Sequence, residues 1–204
     1  KSEIQNLLSG TDIGTINNYN IVTNDSLLIN NSELKNLLTG KIVNNNEVQE
    51  NKNLYNYGEL TNNKTITISA TGDLHNYNSV INNRLGVITN NGDIQNNLTN
   101  ASNNHGVNLT GIKGVVSNFG TITNTLRAKN YGDIYNRTST GTINNSGDIW
   151  NYSPGTFINS NSVINTSNVK NYSVLTNQDS GTLVTNGTFI NYTSGVITNY
   201  DSCT

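Results

Sequence analysis

The chain has 204 residues, of which 33% are hydrophobic and 12% are charged, and its formal net charge is -2. The hydrophobic fraction lies well below the roughly 45–50% of a typical globular domain, so we do not expect a thick core built from long apolar runs. The near balance of 11 basic and 13 acidic residues excludes the basic surface of a nucleic-acid-binding protein and the highly charged class of disordered chain. Asparagine accounts for 44 residues, and the fold has to explain this excess.

The N-terminal quarter of the chain contains two near copies of one segment, which begin at Glu3 and at Glu33. Each copy continues with an aliphatic residue, a polar residue, Asn, two Leu, Ser or Thr, and Gly. The offset between the copies is not a multiple of the longer period found further along the chain. We therefore expect the two copies to lie on different faces of the fold.

A six-residue unit runs through most of the chain: an aliphatic residue, any residue, Asn, any residue, often Gly, and any residue. Clear copies begin at Leu54, Leu74, Ile122 and Ile134. Six does not fit the 3.6-residue period of a helix, whereas an even period keeps the aliphatic residue and the Asn on the same face of a strand. Asn and Gly between strands suit turns because both tolerate positive φ. The unit predicts short β-strands joined by turns.

A second period, of roughly 20 residues, groups these units in threes. The series Asn36, Asn56, Asn76 and Asn96 advances by one such period at each step. Three columns continue in register towards the end of the chain: Asn130, Asn151, Asn171 and Asn191; Asn124, Asn145, Asn165 and Asn186; and Asn136, Asn159, Asn177 and Asn199. Residues 97–117 lose the six-residue unit, and we expect an irregular segment or a change of register there.

These periods predict an all-β fold, a three-sided parallel β-solenoid of about ten coils in one domain over residues 1–204. One unit buries a single aliphatic side chain and is not stable alone, whereas stacked coils bury a continuous column. Each inward Asn is expected to bond to the Asn of the next coil as a ladder, because parallel strands lie ~4.8 Å apart. The rod is then on the order of 50 Å long. The repeat does not fix the handedness, and we favour right-handed winding.

The units at 118–124 and 145–151 resemble the Asn-rich β-solenoid repeats of large microbial surface and filament proteins, of the filamentous-haemagglutinin-like adhesin type. The resemblance covers most of the chain apart from residues 97–117, and it implies a solenoid fold in an extracellular or cell-surface setting. The hexapeptide acyltransferases of the left-handed β-helix class also repeat an aliphatic residue every six positions. Their small residue is usually Gly, Ala or Ser, so we rank that family lower.

Tyrosines follow the corner Asn at intervals of one longer period: Tyr57 and Tyr77, and then Tyr152, Tyr172 and Tyr192. Stacking of these rings along one edge of the solenoid explains the spacing without any ligand. The alternative is a contact ridge, to which the outward residue Trp150 contributes, that binds sugars or another subunit.

Three aspartates, Asp73, Asp93 and Asp133, each follow a Gly, and their spacing allows them to stack on one outer face. Hydrolysis of a polysaccharide needs carboxylates that face each other across ~5–10 Å, and a column of acids does not provide this arrangement. We therefore interpret the aspartates as solvated residues beside turns.

Metal and redox chemistry have little support in the sequence. His75 and His105 lack the partners of a metal-binding motif, and Cys203 is the one cysteine, so an intrachain disulfide is excluded. We predict that the chain is not an enzyme, with no catalytic, cofactor or metal site.

The predicted function is structural. We expect a subunit of an extracellular filament or cell-surface layer that self-associates end to end, because uncapped solenoid edges template another chain. The alternative is an adhesin or glycan-binding stalk within a larger surface protein, whose partners are glycans or the cell surface. We expect no nucleic-acid partner and no membrane insertion, since no apolar stretch approaches the ~20 residues of a membrane span.

Overall fold

In the computed structural model, residues 3–6, 15–96, 114–137 and 140–200 are described. They form 27 strands of four residues each and no helix, and the strands make three parallel sheets. None of the described residues belongs to a helix long and apolar enough to cross a membrane.

Successive strands along the chain belong to the three sheets in rotation. The first sheet contains β1 (Glu3–Asn6), β4 (Leu27–Asn30), β7 (Glu47–Glu50), β10 (Thr65–Ile68), β13 (Val87–Asn90), β16 (Thr121–Asn124), β19 (Thr142–Asn145), β22 (Ser162–Asn165) and β25 (Thr182–Thr185). The second sheet contains β2 (Thr15–Asn18), β5 (Glu33–Asn36), β8 (Asn53–Asn56), β11 (Asp73–Asn76), β14 (Asp93–Asn96), β17 (Arg127–Asn130), β20 (Asp148–Asn151), β23 (Asn168–Asn171) and β26 (Thr188–Asn191). The third sheet contains β3 (Ile21–Asn24), β6 (Lys41–Asn44), β9 (Glu59–Asn62), β12 (Ser79–Asn82), β15 (Val115–Asn118), β18 (Asp133–Asn136), β21 (Thr156–Asn159), β24 (Val174–Asn177) and β27 (Val196–Asn199).

This arrangement confirms the predicted three-sided parallel β-solenoid. In most strands the second and fourth residues are buried and the first and third are partly exposed, as in β8 and β20. The side-chain period of a strand is two, so the aliphatic residue and the Asn of each unit both face inward. The two N-terminal copies lie on different faces, as predicted, because β1 belongs to the first sheet and β5 to the second.

The lengths of the corners set the length of each coil. Most corners have two residues, which gives the six-residue unit, while corners such as 69–72 and 152–155 have four. Many of the longer corners end in Gly because the preceding coil leaves no room for a side chain: a Cβ on Gly72 would lie 2.2 Å from the backbone oxygen of Glu50. The coil from Glu47 to Thr65 has short corners only, so it is shorter than the coil from Thr65 to Val87, which contains two long ones.

The prediction of about ten coils was slightly too high. The described part of the chain contributes nine strands to each sheet, and eight full turns lead from β1 to β25. One coil is much longer than the rest, because the partners Asn82 and Asn118, Asn90 and Asn124, and Asn96 and Asn130 have sequence separations of 36, 34 and 34. The same chain length therefore makes fewer coils. At ~4.8 Å per coil the stack is about 40 Å long.

The predicted irregular region needs a correction at its end. Val115–Asn118 is a regular strand that pairs in register with β12 and β18. It keeps the inward aliphatic residue Val116 and the inward Asn118, so it meets the same packing requirement as the other strands. Gly114 is also described, and the rest of the predicted irregular region, 97–113, lies outside the described residues.

The core is a narrow column of aliphatic side chains in two clusters. The first contains twelve buried residues from Leu28 to Val116, and the second contains six, from Ile143 to Leu175. Between the clusters the inward residue of β17 is Ala128, and an apolar cavity of about 50 Å³ lies beside it. The small side chain leaves space that Ile94 and Ile149 fill at the same position in the two neighbouring coils.

Candidate functional site

Asn ladders line two inner edges of the solenoid without interruption through the described strands. The second-sheet ladder consists of Asn18, Asn36, Asn56, Asn76, Asn96, Asn130, Asn151, Asn171 and Asn191. The third-sheet ladder consists of Asn24, Asn44, Asn62, Asn82, Asn118, Asn136, Asn159, Asn177 and Asn199. In both ladders the Nδ2 of each Asn donates to the Oδ1 of the Asn in the next coil.

Asn151 shows how each ladder amide joins two coils. Its Oδ1 accepts a hydrogen bond from Nδ2 of Asn130 at 2.8 Å, and its own Nδ2 donates to Oδ1 of Asn171 at 2.8 Å. The same Nδ2 also donates to the backbone oxygen of Val174, at 2.8 Å. The amide of Asn151 therefore bonds both to side chains and to a backbone oxygen of the neighbouring coils. Because its polar atoms have partners, Asn is tolerated at many buried positions of this narrow interior.

The first-sheet ladder departs from the sequence prediction at its last member. Asn124, Asn145 and Asn165 stack as predicted, but Nδ2 of Asn165 donates to Oγ1 of Thr185 at 2.9 Å. Asn186, which was predicted to continue this column, is exposed at the corner after β25. Because β26 begins at Thr188, an inward Asn186 would leave a single residue for a corner that otherwise takes at least two.

Glu50 interrupts the same ladder with a buried carboxyl group. Its Oε1 accepts hydrogen bonds from Nδ2 of Asn30 at 2.7 Å and from the backbone N of Lys52 at 3.1 Å, while its buried Oε2 has no partner. The next inward position of the column is the apolar residue Ile68. Burial raises the pKa of Glu50 to about 8, so the carboxyl is mostly protonated at neutral pH.

The tyrosines predicted to stack do so along the corner after the second sheet. Ring centroids are 4.8 Å apart between Tyr57 and Tyr77, 5.1 Å between Tyr152 and Tyr172, and 3.9 Å between Tyr172 and Tyr192. A hydrogen bond with Tyr192 is the main reason that the pKa of Tyr172 rises to about 12. The stacking agrees with the structural interpretation of the spacing, while the role of these rings as a contact ridge stays a prediction.

Trp150 lies on the outer face of the second sheet, between two lysines. Its Cα partners in the neighbouring strands are Lys129 and Lys170, whose Nζ atoms lie 5.9 and 5.0 Å from the centroid of the indole ring. The ring also contacts Tyr152 edge to face, at 6.0 Å between centroids. The indole Nε1 is buried without a hydrogen-bond partner. We call Trp150, Lys129, Lys170 and Tyr152 the tryptophan cluster.

The structure brings only two of the three candidate aspartates together. Asp73 and Asp93 are Cα partners on the outer face of the second sheet, but Asp133 lies in the third sheet, opposite Val115. The physical reason is that the Cα partner of Asp93 in the next coil is Arg127, at a sequence separation of 34. Asp133 follows Arg127 along the chain and therefore lies on the next strand, in the third sheet. Asp93 also pairs with Arg127, whose Nε lies 3.1 and 3.2 Å from the two carboxylate oxygens, and this bonding raises the pKa of Arg127.

Of the two histidines and the cysteine, His75 lies within the described residues. His75 stacks on Tyr55 with 5.0 Å between ring centroids, whereas His105 and Cys203 lie outside the described residues. Within the described ranges, no group of three or more His, Cys, Asp or Glu residues has the geometry to hold a metal ion.

Three features escaped the sequence analysis. Tyr131 extends the tyrosine stack, 4.7 Å from Tyr152, and its position after Asn130 was a usable signal. Glu50 stands where the repeat has Asn, which was a second signal. The third feature is a cleft beside Arg137, formed in part by residues from corners of different lengths. The sequence pattern contains no signal that these residues lie together.

Comparisons of the chain with protein-family models, with curated proteins and with solved structures found no match.

Proposed function

We propose that the chain is a structural subunit of an extracellular filament or cell-surface layer that grows by stacking coil on coil. The observation that carries the proposal is that each coil joins the next through the same head-to-tail interface. Every Asn between the two ends of the second-sheet and third-sheet ladders accepts from the coil before it and donates to the coil after it, as Asn151 does. A head-to-tail interface that does not close into a ring generates a filament.

The last described coil presents such an interface. The strands β25, β26 and β27 each have a paired neighbour on one side only. The inward residue Ile197 of β27 is 44% exposed, whereas its column partner Leu175 is 3% exposed. Any coil that follows, from the same chain or from another copy, buries this apolar surface and pairs these strand edges. The small net charge of the chain, -2, gives little repulsion between copies.

Electron microscopy of the purified chain tests the proposal. We expect thin continuous filaments that persist in high salt, because hydrogen-bonded stacking is screened far less than surface charge. The variant Ile197→Lys places a charge on the stacking surface and should leave discrete rods of about 40 Å. The matched control, Val196→Lys, changes the neighbouring outward residue and should still form filaments.

Two outcomes would contradict the filament proposal. One is that the unsubstituted chain stays as discrete rods at every concentration tested. The other is that Ile197→Lys forms filaments as readily as Val196→Lys, which would show that the last coil is not the assembling surface.

A second candidate function is an adhesin or glycan-binding stalk, and the tryptophan cluster favours it. Trp150 and the stacked tyrosines place aromatic rings and two lysines on one side of the rod. Aromatic side chains are common where protein surfaces recognise partners. Discrete rods that bind glycans, and lose that binding in Tyr172→Ala, would support the stalk and oppose the filament.

A further inference from the structure

A cleft of about 230 Å³ lies beside the third sheet, on a different side of the solenoid from the tryptophan cluster. It is lined by Tyr135, Arg137, Ile158, Ser160, Gln178 and Asp179. Tyr135 and Ile158 are outward Cα partners on β18 and β21 of the third sheet. The other four residues belong to corners of three successive coils between the third and first sheets. The cleft is smaller than the ~300 Å³ at which pockets begin to accept drug-sized ligands, so it fits one small unit.

Arg137 provides the cleft with a guanidinium group held in place by its neighbours. The Cζ of its guanidinium lies 4.3 Å from the centroid of the Tyr135 ring, and its Nη2 is 3.4 Å from Oγ of Ser117. Its Nε is buried and has no hydrogen-bond partner. That atom is closed off from the cleft, so a ligand meets the Nη groups instead, which have N–H donors left beyond the one to Ser117.

The corner 178–181 presents acceptors to the same cleft in an unusual backbone conformation. Asp179 and Ser180 have φ values of 54° and 67°, the two positive values among the non-glycine residues of the described chain. This left-handed conformation is strained for residues with a side chain. Nε2 of Gln178 donates to Oδ2 of Asp179 at 2.9 Å and to Oγ of Ser160 at 3.4 Å. These bonds hold the carboxylate and the amide of this corner beside the hydroxyl of Ser160.

The charges of the cleft select the kind of ligand. Arg137 and Asp179 both line it, yet within the described residues no ion pair joins them. The carboxylate of Asp179 repels an anionic ligand, and the guanidinium of Arg137 repels a cationic one. A neutral ligand is therefore favoured. A hydroxyl group suits both, because it accepts from the Nη groups of Arg137 and donates to the Asp179 carboxylate. Ile158 supplies an apolar contact beside these groups.

We propose that this cleft, which we call the corner cleft, binds one neutral, hydroxyl-rich sugar unit of a glycan. The proposal is independent of the filament interface and of the tryptophan cluster, since it uses residues of neither. A site built to hydrogen-bond hydroxyl groups discriminates strongly against analogues that lack them.

The test uses the whole chain on a glycan array that carries neutral hexose, N-acetylhexosamine and uronic-acid oligosaccharides. We expect binding to neutral oligosaccharides, followed by calorimetry with the best of them. Asp179→Gly removes the carboxylate and relaxes the positive φ, so the variant should fold at least as well as the parent while affinity falls at least tenfold. Arg137→Met should give a similar loss. Tyr172→Ala removes a ring of the rival glycan-binding side and separates the two sites. The control is Thr123→Ala, an outward residue of the first sheet, which should bind as the parent does.

The outcomes separate this site from the second candidate function. Loss of binding in Asp179→Gly and Arg137→Met, with binding kept in Tyr172→Ala, supports the corner cleft. Binding that is lost in Tyr172→Ala and kept in Asp179→Gly places glycans on the tryptophan side and overturns the proposal. Binding only to uronic-acid oligosaccharides, or to no glycan on the array, overturns it as well.

Discussion

At the residue scale, Glu50 couples the stability of the solenoid to pH. Its pKa is raised by burial to about 8, whereas the ordinary value in an unfolded chain is 4.5. Between these two values the folded state holds a proton that the unfolded state has lost, so stability falls as pH rises. The contribution is fully present below pH 4.5, and it is lost as pH rises through about 8.

We therefore expect the free energy of unfolding to decrease by ~1.4 kcal/mol per pH unit between these limits. Glu50→Gln has no ionisable group at this position and should remove that slope in urea titrations at several pH values. Glu47→Gln, at the outward start of the same strand, should keep it. A slope in Glu50→Gln equal to that of the parent would show that another group is responsible.

Ala128 is the second residue with a measurable consequence, because the cavity beside it has a volume of about 50 Å³. Ala128→Val adds two methyl groups to this space and should raise the free energy of unfolding by ~1 kcal/mol, given ~24 cal/mol per Å³ of cavity. Val169→Ala, two coils further along the same column, should have the opposite effect and lower it by ~2 kcal/mol. Urea denaturation measures both, and a destabilised Ala128→Val would mean that the cavity is too narrow for the added groups.

At the scale of an element, the ladder and the sheet reinforce each other because every strand is only four residues long. Such a strand forms few backbone hydrogen bonds with each neighbour, so one buried Asn per strand adds a sizeable share of the polar contacts between coils. The ladder also satisfies backbone oxygens where strands begin, as Nδ2 of Asn36 does for Glu59, the first residue of β9, at 2.9 Å.

Asn151→Ala tests the strength of the ladder. The substitution removes the hydrogen bonds that Asn151 makes with Nδ2 of Asn130, Oδ1 of Asn171 and the oxygen of Val174, and it should cost about 2–5 kcal/mol. Asn186→Ala, at the exposed position that the sequence pattern had assigned to a ladder, should stay within ~0.5 kcal/mol of the parent. Equal losses in the two variants would contradict the assignment of Asn186 to the corner.

At the scale of the whole molecule, the solenoid is a one-dimensional stack in which each coil pairs only with its neighbours. The stability of such a stack is close to a sum of coil terms and interface terms, so a whole coil is removable. Asn145 and Asn165 are Cα partners in neighbouring coils, so residues 146–165 make up one complete coil.

Deletion of residues 146–165 should therefore give a shorter solenoid with the far-ultraviolet circular dichroism of β-structure and a lower free energy of unfolding. Deletion of residues 146–155 is the control, because it runs β19 directly into β21 without a corner and should prevent folding. The view of independent coils would be wrong if the complete-coil deletion also failed to fold.

The sequence by itself determined the fold class, the inward parity of aliphatic and Asn residues, and most members of the ladders, because an even repeat fixes which side chains face inward. Only the tertiary structure decided the register of single residues: Thr185 rather than Asn186 in the ladder, Asp133 away from Asp93, and the partners of Trp150. Corners of two, four or more residues change the length of each coil, so the average period does not predict which outward residues become neighbours. The corner cleft depends on three such corners at once. Which residues of a strand face inward depends on that strand alone, whereas the residues that they pair with depend on the lengths of the corners that precede it.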